Sequence, residues 1–232
     1  MHATSINNAE LFFTTYVVND DCLIVDIGAQ DINGSLKQVS PKNAKYLGLD
    51  FVEGKGVDVI LTDPYVLPLD TSSVDRVICS SCFEHSEMFW VLFLEILRVL
   101  KPNGLFYLNV PSNGPFHRYP VDCWRFYPDS GRALIAWAQK NGYSAALLES
   151  YTDEQGAGLW NDFIAVFIKN KEYVVEFQKR MINSKNKASN GLILGMNEMI
   201  NYQELPEDAF RSHPYLTFKT WLLRKLIRLF RR

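Results

Sequence analysis

The stretch "CLIVDIGAQDING", residues 22–34, decides the fold. Its first half is an apolar run that ends at Asp26 and turns on Gly28. A short apolar run closed by a glycine loop predicts a buried strand. In open α/β sheets a loop in this position faces the ligand. The loop is poorly suited to a dinucleotide. A pyrophosphate needs bare backbone N–H groups and no carboxylate nearby. Here Gln30 and Asn33 stand where G-x-G-x-x-G has its second and third glycines, and Asp31 adds a negative charge.

Working outward, the same pattern repeats. "AKYLGLD" (44–50), "GVDVILTD" (56–63), "SVDRVICSS" (73–81) and "LFYLNVP" (105–111) each read as a strand. "INNAELFFTTYVV" (6–18) reads as a first helix. "SEMFWVLFLEILRVL" (86–100) is the clearest helix: positions 89, 92, 93, 96, 97 and 100 are apolar at helical spacing, and Ser86 is expected to cap it. "KPNG" stops it. A further helix is expected near 129–141 and strands near 143–151 and 160–169, and "NSKNKASNG" (183–191) reads as a polar linker. Alternating strands and helices with near-continuous apolar strands predict a parallel sheet covered on both faces. Ligands then bind beyond the carboxyl ends of the strands, where Asp26, Asp50, Asp63, Ser80 and Glu84 fall.

A ligand without phosphate and with positive charge removes the conflict in the first loop. S-adenosylmethionine is one: an adenosine bearing a sulfonium and an amino-acid tail. Asp26 and Asp31 favour its cationic groups, Asp50 is placed to accept both ribose hydroxyls, and Asp63 to accept from the adenine amino group. The successive motifs "VDIGAQDINGSL", "YLGLD", "TDPYVLPLDTSSVDRVICSSCFEH" and "LRVLKPNGLFYLNVPS" resemble those of the class I S-adenosylmethionine-dependent methyltransferases. The resemblance covers about residues 20–169, and "GPFHRYPVDCWRFYPD" with "WNDFIAVF" is similar to a subgroup associated with bacterial surface-polysaccharide or secondary-metabolite synthesis.

The resemblance implies a doubly wound, Rossmann-like α/β fold with a seven-stranded, mostly parallel sheet and one antiparallel strand. The methyltransferase domain is expected over 1–170 and a helical C-terminal extension over 171–232. It implies cofactor contacts from Asp26, Gly28, Ala29, Gln30, Asp31 and Gly34 in the first loop, from Asp50 and Phe51 after the second strand, from Asp63 and Pro64, and from Ser80 and Ser81. Gln30 departs from the family's usual glycine.

Methyl transfer to a hydroxyl needs alignment and a place for the proton. His85, near the methyl group by the family layout, and His117, in the loop after strand five, are the candidate bases, with Glu84 orienting a histidine or bonding the acceptor. The plain alternative is a locally bonded histidine in each case. Arg118, Tyr119, Asp122 and Arg125 are the candidate acceptor-binding residues, with Trp124 and Phe126 expected to be structural. Aromatic and charged residues mixed in this way suit a glycan-like acceptor. "CSSC" (79–82) ends a strand and has no second cysteine pair, so neither a redox nor a zinc role is expected, and no spacing of His, Asp and Glu compels a metal.

The leading expectation is therefore an O-methyltransferase acting on a glycan or glycan-like hydroxyl. A nicotinamide oxidoreductase would want the glycine-rich loop that is missing. A non-catalytic module of the same fold, serving assembly or membrane recruitment, is the other alternative.

The 232 residues carry a formal net charge of −2, which gives no global attraction to nucleic acid. The four cysteines, with no secretory pattern, predict a cytoplasmic protein. The charge is uneven: the last sixteen residues, "TFKTWLLRKLIRLFRR", hold six Lys or Arg and no acid. On a helical wheel they form an apolar, aromatic face opposite a basic one. That pattern predicts a helix lying on the inner membrane surface, where a lipid-linked acceptor would be found, or one docked on its own domain or on a second subunit of a homo-oligomer.

Overall fold

The computed structural model describes residues 3–17, 21–154, 160–204 and Leu222. Residues 3–202 belong to one compact unit. Helix α1 (Ala3–Tyr16) precedes β1 (Leu23–Ile27), β2 (Lys45–Asp50), β3 (Val59–Ile60) and β4 (Val74–Ser80). Then come α2 (Phe89–Val99), β5 (Leu100–Pro111), α3 (Ser130–Lys140), β6 (Ala146–Thr152), β7 (Asp162–Ile168) and β8 (Ser189–Ile193).

The strands form one sheet in the order β3-β2-β1-β4-β5-β7-β6-β8. Strands β1 to β5 pair in parallel, while β7 pairs antiparallel with both β5 and β6. The expected mostly parallel, Rossmann-like sheet is present, with its reversed strand at β7. An eighth strand, β8, extends it, pairing antiparallel with β6.

The two faces are covered differently. Leu92, Phe93, Ile96 and Leu97 of α2 and Leu134 and Ala138 of α3 pack on Val77, Phe106, Phe163 and Phe167. Burying four large α2 side chains contributes about 1.5–3 kcal/mol each. The other face has almost no crossover helix. The β1–β2 connection contains only a single 3-10 turn, Leu36–Val39, capped by Ser35. Helix α1 fills that space, setting Phe12, Phe13 and Tyr16 against Ile24, Ile78, Leu105 and Tyr107.

The segment after β7 completes the same face. Glu149 of β6, fully buried, accepts the Tyr16 hydroxyl and the backbone N–H groups of Met181 (2.8 Å) and Ile182 (2.9 Å). Lys185 pairs with Asp153 at 2.8 Å. The sequence reading placed the domain boundary at 170/171 and a linker at 183–191; in the structure the compact unit runs on to Tyr202 through β8. The Ser86 cap is also corrected. Helix α2 starts after Met88 with no side-chain cap, and the Ser86 carbonyl instead accepts the Trp124 indole at 2.9 Å. The C-terminal amphipathic helix expected over 217–232 lies outside the described residues, Leu222 apart.

Candidate functional site

The strand order reverses direction between β1 and β4, and their carboxyl ends flank a crevice. The first loop enters it at Gly28, whose φ is +80°. A Cβ there would lie 2.7 Å from the Cβ of Cys82. Only glycine allows the loop to lie this close to the turn after β4. Gly28 and Ala29 donate to the Leu49 carbonyl at 2.9 and 3.1 Å, which holds the loop against the end of β2.

There Asp50 is largely buried and accepts one backbone N–H on each oxygen, from Gln30 (3.1 Å) and Val52 (3.1 Å). Each carboxylate oxygen keeps lone-pair capacity for a further donor. Phe51, next to it, is exposed and offers an aromatic face. Asp63 is exposed, and its Oδ1 accepts the Tyr65 N–H at 2.8 Å, with Pro64 beside it also exposed.

The other loop acids are engaged within the protein. Asp31 pairs with Lys55 at 2.6 Å and accepts the Gly34 N–H at 2.7 Å. These contacts hold its carboxyl below the usual range. Its charge is answered internally rather than displayed. Asp26 is buried beneath the loop and accepts the Tyr46 hydroxyl at 2.5 Å. Burial pushes its pKa up to about 7, against the pull of Tyr46. The sequence suggests that Asp26 and Asp31 both favour the cationic groups of the cofactor; in the fold each carboxylate also has a partner within the protein. Gln30, the departure from glycine, spans two loops. Its amide donates to the Glu53 carbonyl (3.2 Å) and accepts the Tyr119 hydroxyl (3.2 Å).

Strands β4 and β5 end in polar groups that lack partners. Ser80 and Asn109 are register partners, and both are buried. The Ser80 hydroxyl and both amide atoms of Asn109 have no hydrogen-bond partner among the described residues. Buried polar atoms are nearly always paired, so these are waiting for water or ligand. Ser81, exposed and at φ +52°, turns the chain away from the strand. Sequence reading missed Asn109; a lone amide inside the apolar strand "LFYLNVP" was its signal.

Beyond this edge, Glu84, His85 and His117 come together, each offering an atom within 4.8 Å of the others. Glu84 is 1% exposed, its Oε2 has no partner among the described residues, and burial pushes its pKa up to about 8. His85 Nδ1 makes a close contact with the Val121 carbonyl, so Nδ1 carries the proton and Nε2 the lone pair. That Nε2 lies 3.7 Å from Glu84 Oε1. Burial lowers the His85 pKa and keeps the ring neutral at pH 7. The His117 ring stands edge-on to His85 at 4.9 Å and to Trp160 at 4.8 Å.

His117 is held by Asp122, which accepts its backbone N–H at 2.6 Å and faces Nδ1 at 3.3 Å. Arg125 grips the same carboxylate in a fork of 2.5 and 2.8 Å and holds its pKa down to about 2. Asp122 and Arg125 therefore brace the loop rather than reach outward. Arg118 and Tyr119 are exposed, as are Phe116 and Tyr127. Phe126 is core, as expected, and Trp124 is tied down through its indole. The free thiols Cys79 and Cys82 sit in apolar packing at the strand-four turn.

A model of a methyltransferase domain matches residues 16–108. No curated protein matches the chain. Among solved structures, the Burkholderia thailandensis 1,6-didemethyltoxoflavin-N1-methyltransferase, bound to 1,6-didemethyltoxoflavin and S-adenosylhomocysteine, superposes with a TM-score of 0.56 at 12% identity, over 72% of this chain and 79% of that one. The Bacillus subtilis YcgJ protein gives 0.52 at 12% identity, over 73% and 100%. The [4+2]-cyclase SpnF gives 0.54 at 13%, over 72% and 82%. The chain has the class I S-adenosylmethionine-dependent methyltransferase fold. In this methyltransferase fold, a wide apolar groove between α3 and β8, lined by Ile135, Leu147, Leu192 and Met196, lies apart from the carboxyl ends that hold the polar site.

Proposed function

We propose that the protein transfers the methyl group of S-adenosylmethionine to a hydroxyl of a glycan-like acceptor. The observation that carries the reading is the pair of unlike half-sites built at and just beyond the carboxyl ends of the parallel strands. One is Asp50 with the orphaned Ser80 and Asn109; the other is the Glu84, His85 and His117 cluster.

The first half fits the cofactor. Asp50 has lone pairs left for a ribose diol, Phe51 offers a face for the adenine, and Gly28 lets a ligand approach the backbone. Ser80 and Asn109 supply unpaired donors and acceptors for the amino-acid end. When bound, S-adenosylmethionine supplies an electrophilic methyl carbon on a good leaving group.

The second half receives the acceptor. Its oxygen lone pair forms the new C–O bond as the C–S bond breaks, and the hydroxyl proton passes to the Glu84, His85 and His117 cluster. A neutral His85 with its Nε2 lone pair turned to the site suits that task. The exposed Arg118, Tyr119 and Tyr127 rim the loop and suit a polyhydroxylated ring, stacking on its apolar face and bonding its hydroxyls.

Calorimetric titration tests the first half. S-adenosylmethionine should bind, a nicotinamide dinucleotide should not, and Asp50→Ala should lose about 1.5–3 kcal/mol per ribose hydrogen bond. Unchanged affinity in the folded variant places the cofactor elsewhere. For the second half, His117→Ala should lower turnover roughly 10²–10⁴-fold with little change in cofactor affinity. His85→Ala reports in the same assay, and full turnover in both variants removes the cluster from the reaction.

A further inference from the structure

We propose that Glu84, His85 and His117 form a binding site for one first-row divalent cation, of the Zn²⁺ class. Three lone-pair groups converge here, one atom from each lying within 4.8 Å of the other two. With His85 Nδ1 committed to the Val121 carbonyl, its Nε2 presents a lone pair to Glu84 Oε1. Their 3.7 Å separation is too long for a hydrogen bond. Glu84 Oε2 has no partner, and no Lys or Arg pairs with Glu84 among the described residues. The Arg125 guanidinium nearby is already spent on Asp122. A buried carboxyl with two half-buried imidazoles beside it, and no Lys or Arg paired with it, is stabilised by a cation at its centre.

The outer contacts match those of metal-bound histidines. Such rings donate their second N–H to a carbonyl or carboxylate, which fixes the tautomer. His85 has the Val121 carbonyl; His117 Nδ1 lies 3.3 Å from the Asp122 carboxylate without a hydrogen bond, and that carboxylate holds the residue through its backbone N–H. Asp122 is itself fixed by the Arg125 fork. The Glu84 carbonyl accepts the N–H groups of Cys123 (2.7 Å) and Trp124 (3.2 Å), so both chain segments are joined before any ion arrives. Two imidazoles and one carboxylate favour zinc, iron(II) or cobalt(II) over magnesium or calcium, which want all-oxygen shells. Bonds of about 2.1 Å allow opposed ligands to lie at most about 4.2 Å apart, so any wider gap within the cluster closes on loading. His117, the more exposed ring, makes that movement.

Three protein ligands leave a position open, as catalytic metal sites do. What the ion does there rests on the methyltransferase reading: with the ion bound the three ligand atoms no longer accept a proton, and an acceptor hydroxyl in the open position would be more readily deprotonated, its proton passing to bulk water.

The test uses the full chain, freed of any affinity tag, stripped with chelator and dialysed against Zn²⁺ or Co²⁺. One equivalent per chain is expected. Glu84→Gln and His117→Ala should each weaken binding at least about tenfold, as should Asp122→Asn from outside the shell. Cys82→Ala should leave binding unchanged. Less than a tenth of an equivalent on the wild type overturns the proposal, and so does equal retention by Glu84→Gln and His117→Ala. If either variant fails to fold, electron spin resonance of the Cu²⁺-loaded wild type counts bound imidazoles: two are expected, and none is fatal to the idea. S-adenosylmethionine titration of the stripped protein is read separately, so loss of the metal site and loss of the methyltransferase reading cannot be confused.

Discussion

Asp26 carries its charge at a cost that depends on pH. In the unfolded chain an aspartate titrates near about 3.9. In the fold, burial holds it near about 7. Between those values the native state keeps a proton that the unfolded chain has released, so stability falls as pH rises through this window and levels off above it. Asp26→Asn keeps an acceptor for Tyr46 and removes the titration. It should therefore gain on the wild type by about 4 kcal/mol between pH 4 and pH 8. Urea midpoints at the two pH values check this, and parallel losses in both proteins would mean that Asp26 ionises normally. Gly28 is the other decisive residue. Gly28→Ala combines a positive φ with a Cβ 2.7 Å from that of Cys82 and should cost about 1–3 kcal/mol or more. An unchanged midpoint would mean that the loop has another conformation. Gly28 was legible in the sequence because it closes an apolar run. The state of Asp26 was not, since it is set by burial under the folded loop, against the pull of Tyr46 from the neighbouring strand.

At the scale of elements, the strands ending in acids were readable because a doubly covered parallel strand is apolar throughout. Helix α2 was readable from its spacing. Strand β8 was not: only five residues long, it starts "SNG" and exists because β6 offers an unpaired edge. The members of the histidine cluster, Glu84, His85 and His117, were legible as candidates, but their meeting was not, as His117 lies in a loop beyond strand β5 and only the fold brings it to His85. The loop that does so, 112–129, hangs on Asp122, which joins His117 to Arg125. Asp122→Ala removes those charged hydrogen bonds, worth about 1.5–3 kcal/mol each, and leaves Arg125 without its partner. Amide exchange over 117–126 should quicken and turnover should fall, while S-adenosylmethionine affinity holds. Unaltered exchange would show that the loop is fastened by other contacts.

At the scale of the whole molecule, no helix among the described residues is long and apolar enough to cross a membrane. A surface contact would fall to the basic C-terminal segment. Anionic lipid adds about 1 kcal/mol per basic residue near the surface, so the intact chain should sediment with anionic vesicles at low salt and a chain cut after Leu216 should not. Release by salt is part of the expectation. An intact chain that stays in solution assigns the apolar face to the protein itself or to a second copy. The fastening of loop 112–129 bears on the proposed function. With its backbone held to the Glu84 carbonyl and to Pro111, whose carbonyl accepts the Phe126 N–H at 3.0 Å, the loop beside the histidine cluster, the acceptor wall under the proposed function, is set during folding. Ordering entropy is then not charged to each binding event. Discrimination among acceptors becomes a matter of fit at a rigid mouth. Under the proposed function, ill-fitting sugars should react slowly from the first turnover, with no lag while a lid finds its place.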